Sequence, residues 1–596
     1  MNKKVSIRYI VCFLLTFAYR FFYILGPKVM RVTYDDIGIM CGPASISGCD
    51  WSGTMQYIKY YGQSLSVFLT PIFLLFKGNP TAVWYLIEIF YLLVAAFGAM
   101  FLYYVGRKYF KIGDSWMYVF FASLSTIAFE PNNDMSNEPA LFVASILVAF
   151  FLIKTANENS RLRIIIYQIF TLISMMFGYL ANSRGMVFWA VIPVMYLWIL
   201  WKYKGKQLGL WYVWIPGMVA ALLGANKVRD WVILKLWNVN LAAGETIINT
   251  SVEVSVDKII QMLSCKSGIK AFLMAVIGGV YGSAIHTYGI ILVLLILTAL
   301  LLFTNKRDKL SIEIEIAALV GVGCFLVGLI GVSTSTLYGE GMWEDIMNNR
   351  VSIAYDGLYY YRYYGSFIAP GLFAAMCWIP HCIETSKCRL LWGISGLALM
   401  VPIGIFNFRY VVEVAVKYDE TREIAMYPYV LKSVYDIPKQ FGVCLLIMLL
   451  MFLLFISSVW LKKGWLMGIN ITLLLVLPIL FASDRRPYMA LLNDHCDTGY
   501  YLVHYLENTD MADDLGDTLY LAGETKTLIN YQYALMEYKI SEDIPEKEDV
   551  IVWANNDSTL LDESAGYKWI QLDNNESVYV KGDKYGVHIE NFLSQY

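Results

Sequence analysis

Two adjacent carboxylates, Asp35 and Asp36, stand a few residues beyond the first long apolar run of the chain. An aspartate in such a place can take a proton from an incoming hydroxyl, and a second acid beside it can orient that hydroxyl or a metal. Hydrated loops also carry acidic pairs with no further role. The next stretch of chain argues for more. Residues 51–78 run from Trp51 through Tyr57 and Tyr60-Tyr61-Gly62 to Phe76, mixing aromatic and apolar residues with few charges, the pattern of helices lying along a membrane interface. Such helices would roof the acidic pair beside the lipid headgroups.

Further charged groups recur at the ends of apolar runs. Residues 130–138 carry Glu130, Asp134 and Glu138 among three asparagines, and Glu138 leads straight into the next run. A carboxylate at a helix mouth is costly unless it faces water or a partner, although it also suits a helix N-terminus through the macrodipole. The turn Asn182-Ser183-Arg184-Gly185 sets a cation between two runs, and Arg350 and Arg362 lie in a tyrosine-dense segment. Tyrosine belts by themselves mark interfaces. Guanidinium groups at headgroup depth, flanked by rings, suit a phosphate or pyrophosphate carried on a lipid. Acids and arginines together fit a transfer reaction in which Asp35 accepts a proton while arginine, or a metal, stabilises a phosphate leaving group.

The elements that position these residues are membrane spans. Of the 596 residues 58% are hydrophobic and only 16% charged, which excludes an ordinary soluble protein. Apolar runs long enough to cross a hydrocarbon core begin near residues 7, 81, 115, 139, 164, 187, 209, 284, 313, 365, 390, 440 and 464, predicting about 13 transmembrane helices. Every second loop is short and basic, as at Lys3/Lys4, Arg107/Lys108, Lys202/Lys204 and Lys306/Arg307/Lys309. The positive-inside rule makes that side cytoplasmic, with the N-terminus inside and the C-terminus outside. Asp35, Glu138, Arg184 and Arg362 then share the outer face. Arg20 and the absence of a small-residue cleavage site predict that the first run is retained. Gly268 to Val280 is apolar but short, and reads as a re-entrant or interfacial segment.

Composition changes near Ser483, predicting a multi-span domain over 1–482 and an extracytoplasmic α/β domain over 483–596. In the latter, Gly499 to Leu506 reads as part of a helix. Thr518–Ala522 and Val550–Ala554 read as strands, and Tyr567–Leu572 with Ser577–Val580 as a hairpin. Ten Cys and five His show no metal spacing, and Cys41 and Cys49 in the first loop are close enough in sequence to form a disulfide outside the cell. No basic tail or nucleic-acid signature is present.

At this point the chain resembles the GT-C superfamily of membrane glycosyltransferases, in its protein O-mannosyltransferase and aminoarabinose-transferase branch. The carriers are Tyr34-Asp35-Asp36, Tyr60-Tyr61-Gly62 running into Leu65 and Pro71, Asn137-Glu138-Pro139, Asn182-Ser183-Arg184-Gly185, and Tyr361-Arg362-Tyr363 ahead of Pro370. The resemblance implies a polyprenyl-phosphate sugar donor, inversion at the anomeric carbon, Asp35 as the base and, in some members, a divalent metal such as Mg or Mn. Asp36 takes a place usually held by Glu. Many members have Lys-Pro-Pro after the Tyr-Gly, where this chain has Gln63-Ser64-Leu65, so donor phosphate falls to Arg184 and Arg362, with Arg350 and Lys59 behind them.

The reading is therefore a mainly α, polytopic glycosyltransferase in the plasma membrane of a bacterium, acting on a glycan, lipid or protein acceptor among membrane lipids. Asp36 or Glu138 would orient the acceptor or a metal. The alternatives are a flippase or transporter of lipid-linked glycans, which would favour charges at the midplane in repeated halves, and an outer-face glycan polymerase or ligase.

Overall fold

The computed structural model describes residues 3–24, 32–58, 60–128, 136–203, 208–237, 256–303, 311–335, 342–351, 361–385, 389–412, 437–461, 463–483, 496–523, 525–555, 561 and 566–595. All thirteen apolar runs of the sequence fall on helices. Six of them, together with Lys266–His286, make the seven described helices long and apolar enough to cross a membrane: Pro80–Phe110, Glu138–Ala156, Arg161–Ala181, Ser183–Lys202, Ile312–Thr334 and Phe441–Trp460 are the others. Four more, Trp116–Ala128, Ile290–Leu300, Ala369–Pro380 and Gly464–Leu473, are apolar but shorter. The chain is a polytopic membrane protein with a small C-terminal domain.

The expectation of a short segment at 268–280 is corrected, since Lys266–His286 is one helix of 21 residues. Its polar residues find partners within the protein: Ser267 Oγ donates to Ile346 O at 2.6 Å and Ser283 Oγ to Gly279 O at 2.6 Å. The chain leaves this helix through Tyr288 and Gly289, at φ of 49° and 79°, and enters Ile290–Phe303. The basic residues at 306–309, whose sidedness that helix bears on, lie outside the described residues.

The bundle packs around Ala369–Thr385, in which Ala369, Leu372, Phe373, Ala374, Ala375 and Met376 are completely buried. Gly371 of this helix meets Gly321 of Ile312–Ser335 so closely that a Cβ on Gly321 would stand 2.7 Å from Gly371 Cα. Small residues at such crossings let two backbones touch, which within a bilayer replaces hydrophobic association as the source of packing. Arg20 is retained inside the bundle with Nη1 on Thr126 O at 2.7 Å. At one end of the bundle Lys202 pairs with buried Glu315 at 2.9 Å, and Arg8 and Arg107 share Asp114. The first loop lies at the other end.

That loop begins with helix Tyr34–Ile46 and continues through Ser52–Met55 and Ser66–Phe76. Thr33 caps the first of these in a reciprocal box with Asp36, whose carboxylate accepts from Thr33 N at 2.6 Å and Thr33 Oγ1 at 2.8 Å. Cys41 and Cys49, close enough in sequence to pair, are both buried free thiols, and the Cys41 thiol donates to Gly38 O at 3.2 Å.

The C-terminal domain holds a five-stranded sheet, β1 (Thr518–Ala522), β2 (Lys539–Ser541), β3 (Val550–Asn555), β4 (Tyr567–Gln571) and β5 (Glu576–Lys581), in the order β2-β1-β3-β5-β4. β1 runs parallel to β2 and β3, while β5 is antiparallel to β3 and β4. The domain rests on the first loop. Trp51 Nε1 donates to Met536 O at 2.9 Å, Thr54 Oγ1 to Gln532 Oε1 at 2.8 Å, and Tyr533 OH to Pro80 O at 2.8 Å. Gly53 faces β2 with no room for a side chain, since a Cβ there would stand 1.9 Å from Ile540 O.

Candidate functional site

The chain from Tyr60 to Leu65 is clamped between the first helix of the loop and the ends of two spans. A Cβ on Gly62 would come within 2.0 Å of Ala181 O, at the close of Arg161–Ala181, and Gly62 O accepts from Asn137 Nδ2 at 3.1 Å, just before Glu138–Ala156. On the other side the Tyr61 ring lies flat on Gly38, where a Cβ would be 2.2 Å from Tyr61 Cδ2. Two glycines thus fix where the Tyr61 hydroxyl goes. It donates to Asp35 Oδ1. Burial, followed by the neighbouring Asp35 charge, pushes the Tyr61 phenol well above its usual range, so it stays a donor.

The other Asp35 oxygen, Oδ2, accepts from Arg362 Nη2 at 3.0 Å. Arg362 stands at the start of the short helix Arg362–Gly365 that precedes the central span, and its Nε donates to Glu138 Oε1 at 3.2 Å. The same oxygen receives Arg184 Nη2 at 2.8 Å. Arg184 is held on every side: Asn182 Oδ1 accepts from both its backbone N and its Nε at 3.0 Å, Arg362 O accepts from its Nη1 at 3.0 Å, and the Tyr363 ring lies 4.9 Å from its guanidinium carbon. Planar guanidinium groups suit this divided duty because their donors point in fixed directions.

These groups bound a cavity of about 150 Å³ lined by Asp35, Ile39, Tyr61, Asn137, Asn182, Arg184, Arg362 and Tyr363. That is room for about five waters or one small anionic group, below the roughly 300–1,000 Å³ of a site enclosing a whole ligand. Within the ionic network two carboxylates face two guanidinium groups, so the cluster is neutral when all are ionised.

The structure therefore brings together Asp35, Arg184 and Arg362 on one cavity, with Glu138 behind it. Glu138 is 1% exposed and does not line the cavity; it sits where it can hold both arginines. Asp36 is completely buried and turned to Thr33, away from the cavity. Arg350 is also elsewhere, 77% exposed and 3.7 Å from Asp345. Lys59 lies outside the described residues. Sequence reasoning missed the roles of Tyr61, Asn137 and Asn182, although the contiguity of Tyr61 with Gly62 is the signal of a side chain placed by a close backbone approach.

A divalent metal fits this donor set poorly. Both carboxylates are already bound by guanidinium groups, and among the described residues no group of three or more His, Cys, Asp or Glu could hold a metal ion. Arginines backed by carboxylates form a site for an anion.

Fold and site define a polytopic membrane protein with a polar, arginine-rich pocket between its helical bundle and first loop. No family model and no curated protein matches the chain. Among solved structures it is similar to the crystal structure of ArnT from Cupriavidus metallidurans bound to undecaprenyl phosphate, at 12% identity and a TM-score of 0.47, covering 97% of this chain and 98% of that one.

Proposed function

We propose that the protein is a membrane glycosyltransferase that moves a sugar from a polyprenyl-phosphate carrier to an acceptor hydroxyl on the outer face, with inversion and with Asp35 as general base. The observation that carries this reading is the contact of Asp35 Oδ2 with Arg362 Nη2 at 3.0 Å, on the cavity that Arg184 also lines. A proton acceptor and two anion-binding groups within one small pocket are what displacement at a phosphate-bearing carbon needs. The basic loops of the opposite end support an outward-facing site, where a lipid-linked sugar phosphate is a donor already activated.

In this mechanism the acceptor hydroxyl attacks the anomeric carbon, its proton passes to Asp35, and the electron pair of the carbon–oxygen bond leaves with the lipid phosphate. Arg184 and Arg362 stabilise the charge that develops there. Tyr61 orients Asp35, and Glu138 aims both arginines. A 150 Å³ cavity takes the phosphate rather than the whole donor, so the sugar and acceptor lie toward its mouth. The test is Asp35→Asn at equal amounts of folded protein, assayed with radiolabelled polyprenyl-phosphate sugar. Loss of a positioned general base lowers the rate by about 10²–10⁴-fold; transfer at the wild-type rate would remove Asp35 from the mechanism.

A further inference from the structure

Both oxygens of the Asp35 carboxylate are engaged, Oδ1 by the Tyr61 hydroxyl and Oδ2 by Arg362. Arg362 in turn has its Nε on buried Glu138 at 3.2 Å and its Nη2 on Asp35, and both Arg362 and Asp35 line the cavity. The guanidinium thus bridges a buried anchor and a carboxylate of the cavity wall.

We infer that Arg362 exchanges partners in the reaction, holding Asp35 until a phosphate ester enters the cavity and passing to that phosphate as Asp35 takes its proton. This exchange rests on the proposed function and concerns how the site is controlled. The charges balance. A phosphodiester donor carries one negative charge and ionised Asp35 another. After the anomeric carbon–oxygen bond breaks and the acceptor proton moves to Asp35, the departing phosphate monoester carries two and Asp35 none. Negative charge therefore moves from the carboxylate to the phosphate within the step, and Arg362 can follow it without leaving Glu138. Arg184, bound to the same Glu138 oxygen, meets the phosphate from a second side. Base and phosphate thus compete for one guanidinium, which ties proton acceptance to an occupied donor site.

The consequence is measurable as a gain in affinity. Purified full-length protein in nanodiscs is titrated with polyprenyl phosphate and, in a separate arm, with inorganic phosphate. Asp35→Asn removes the charge that holds Nη2, so it should bind phosphate about tenfold more tightly than wild type, the equivalent of one charge-assisted contact redirected. Asp35→Ala is the second variant, with the same expectation, and Arg350→Gln, outside the cavity, is the control at wild-type affinity. Tightening in the lipid arm alone assigns the site to a lipid headgroup, and tightening in both arms assigns it to the phosphate group itself; either supports the exchange. Unchanged or weaker binding by both Asp35 variants overturns it. If those variants lose transfer while phosphate affinity stays the same, the exchange fails and the proposed function stands. If they keep transfer, the proposed function fails.

Discussion

Among the described residues Glu138 is the acid that Arg184 and Arg362 share, and its neutralisation has consequences that can be worked from the contacts. It is 1% exposed, with Arg184 Nη2 at 2.8 Å and Arg362 Nε at 3.2 Å from the same oxygen. Removing one partner of a buried pair costs about 3–5 kcal/mol, because the other charge is left desolvated. Glu138→Gln falls at the lower end of that range, about 3 kcal/mol, since the amide keeps an acceptor oxygen and Arg362 keeps Asp35. Arg184→Gln should cost less, about 2 kcal/mol, because Arg362 still neutralises Glu138 and Arg184 is itself 18% exposed. The double substitution removes both ends of one interaction, so it should be milder than the sum of the singles by about 1–3 kcal/mol. Thermal unfolding midpoints of the four proteins in the same nanodisc give the cycle. Midpoint shifts that simply add would show that the two side chains do not share a pair, and the account of Glu138 as the anchor of the arginines would be wrong.

Three other outcomes are expected from the same geometry. Gly38→Ala places a Cβ 2.2 Å from Tyr61 Cδ2, so the ring must move and its bond to Asp35 is lost; transfer should fall about tenfold, the worth of one hydrogen bond to a charged group, and an unchanged rate would free Tyr61 from its role. Gly53→Val collides with Ile540 O and should undock β2 from the first loop, read as faster hydrogen exchange in both Ser52–Met55 and β2; unchanged exchange in both would refute the docking. Burial pushes the Glu576 carboxyl of β5 up to about 7 from 4.5, against the donors Tyr531 OH, Gly499 N and Thr498 N. The folded domain then keeps a proton that the unfolded chain releases, so this contribution is full below about pH 4.5 and is lost as pH rises through about 7, some 3 kcal/mol at most. Hydrogen exchange of β1–β5, corrected for the intrinsic rate, should show weaker protection at about pH 8 than at about pH 5, with Glu576→Gln flattening the difference.

The helices could be read from the sequence because each apolar run has the length that lipid demands, and all thirteen runs indeed fall on helices. Asp35, Glu138, Arg184 and Arg362 could be picked out for a related reason: charge at the very end of such a run is expensive and so conspicuous. Their neighbours were less visible. Asp36 looks like the twin of Asp35, yet one residue of helix turn sends it to Thr33 instead of the cavity. Glu138 looks catalytic from its place at a helix mouth, yet it is buried with both arginines on one of its oxygens, which the sequence does not show. Lys266–His286 has the mean hydropathy of a span, 1.6, but counting it as one puts Lys306, Arg307 and Lys309 on the outer side, against the positive-inside rule. The short strand β2 and its docking on Ser52–Met55 depend on contacts between residues hundreds of positions apart, which no local pattern records.

The bond from Trp51 to Met536 spans 485 positions of chain. At a synthesis rate of about 5–20 residues per second, the loop bearing Asp35 waits roughly half a minute to a minute and a half for the surface it will rest on. Throughout that interval the spans can enter the bilayer while the loop is held by its own threonine cap and by residues of the spans such as Asn137, Trp237 and Arg362. Assembly of the pocket is thus a late event in the life of each molecule, and a nascent chain presents its acidic pair well before the scaffold around that pair is whole.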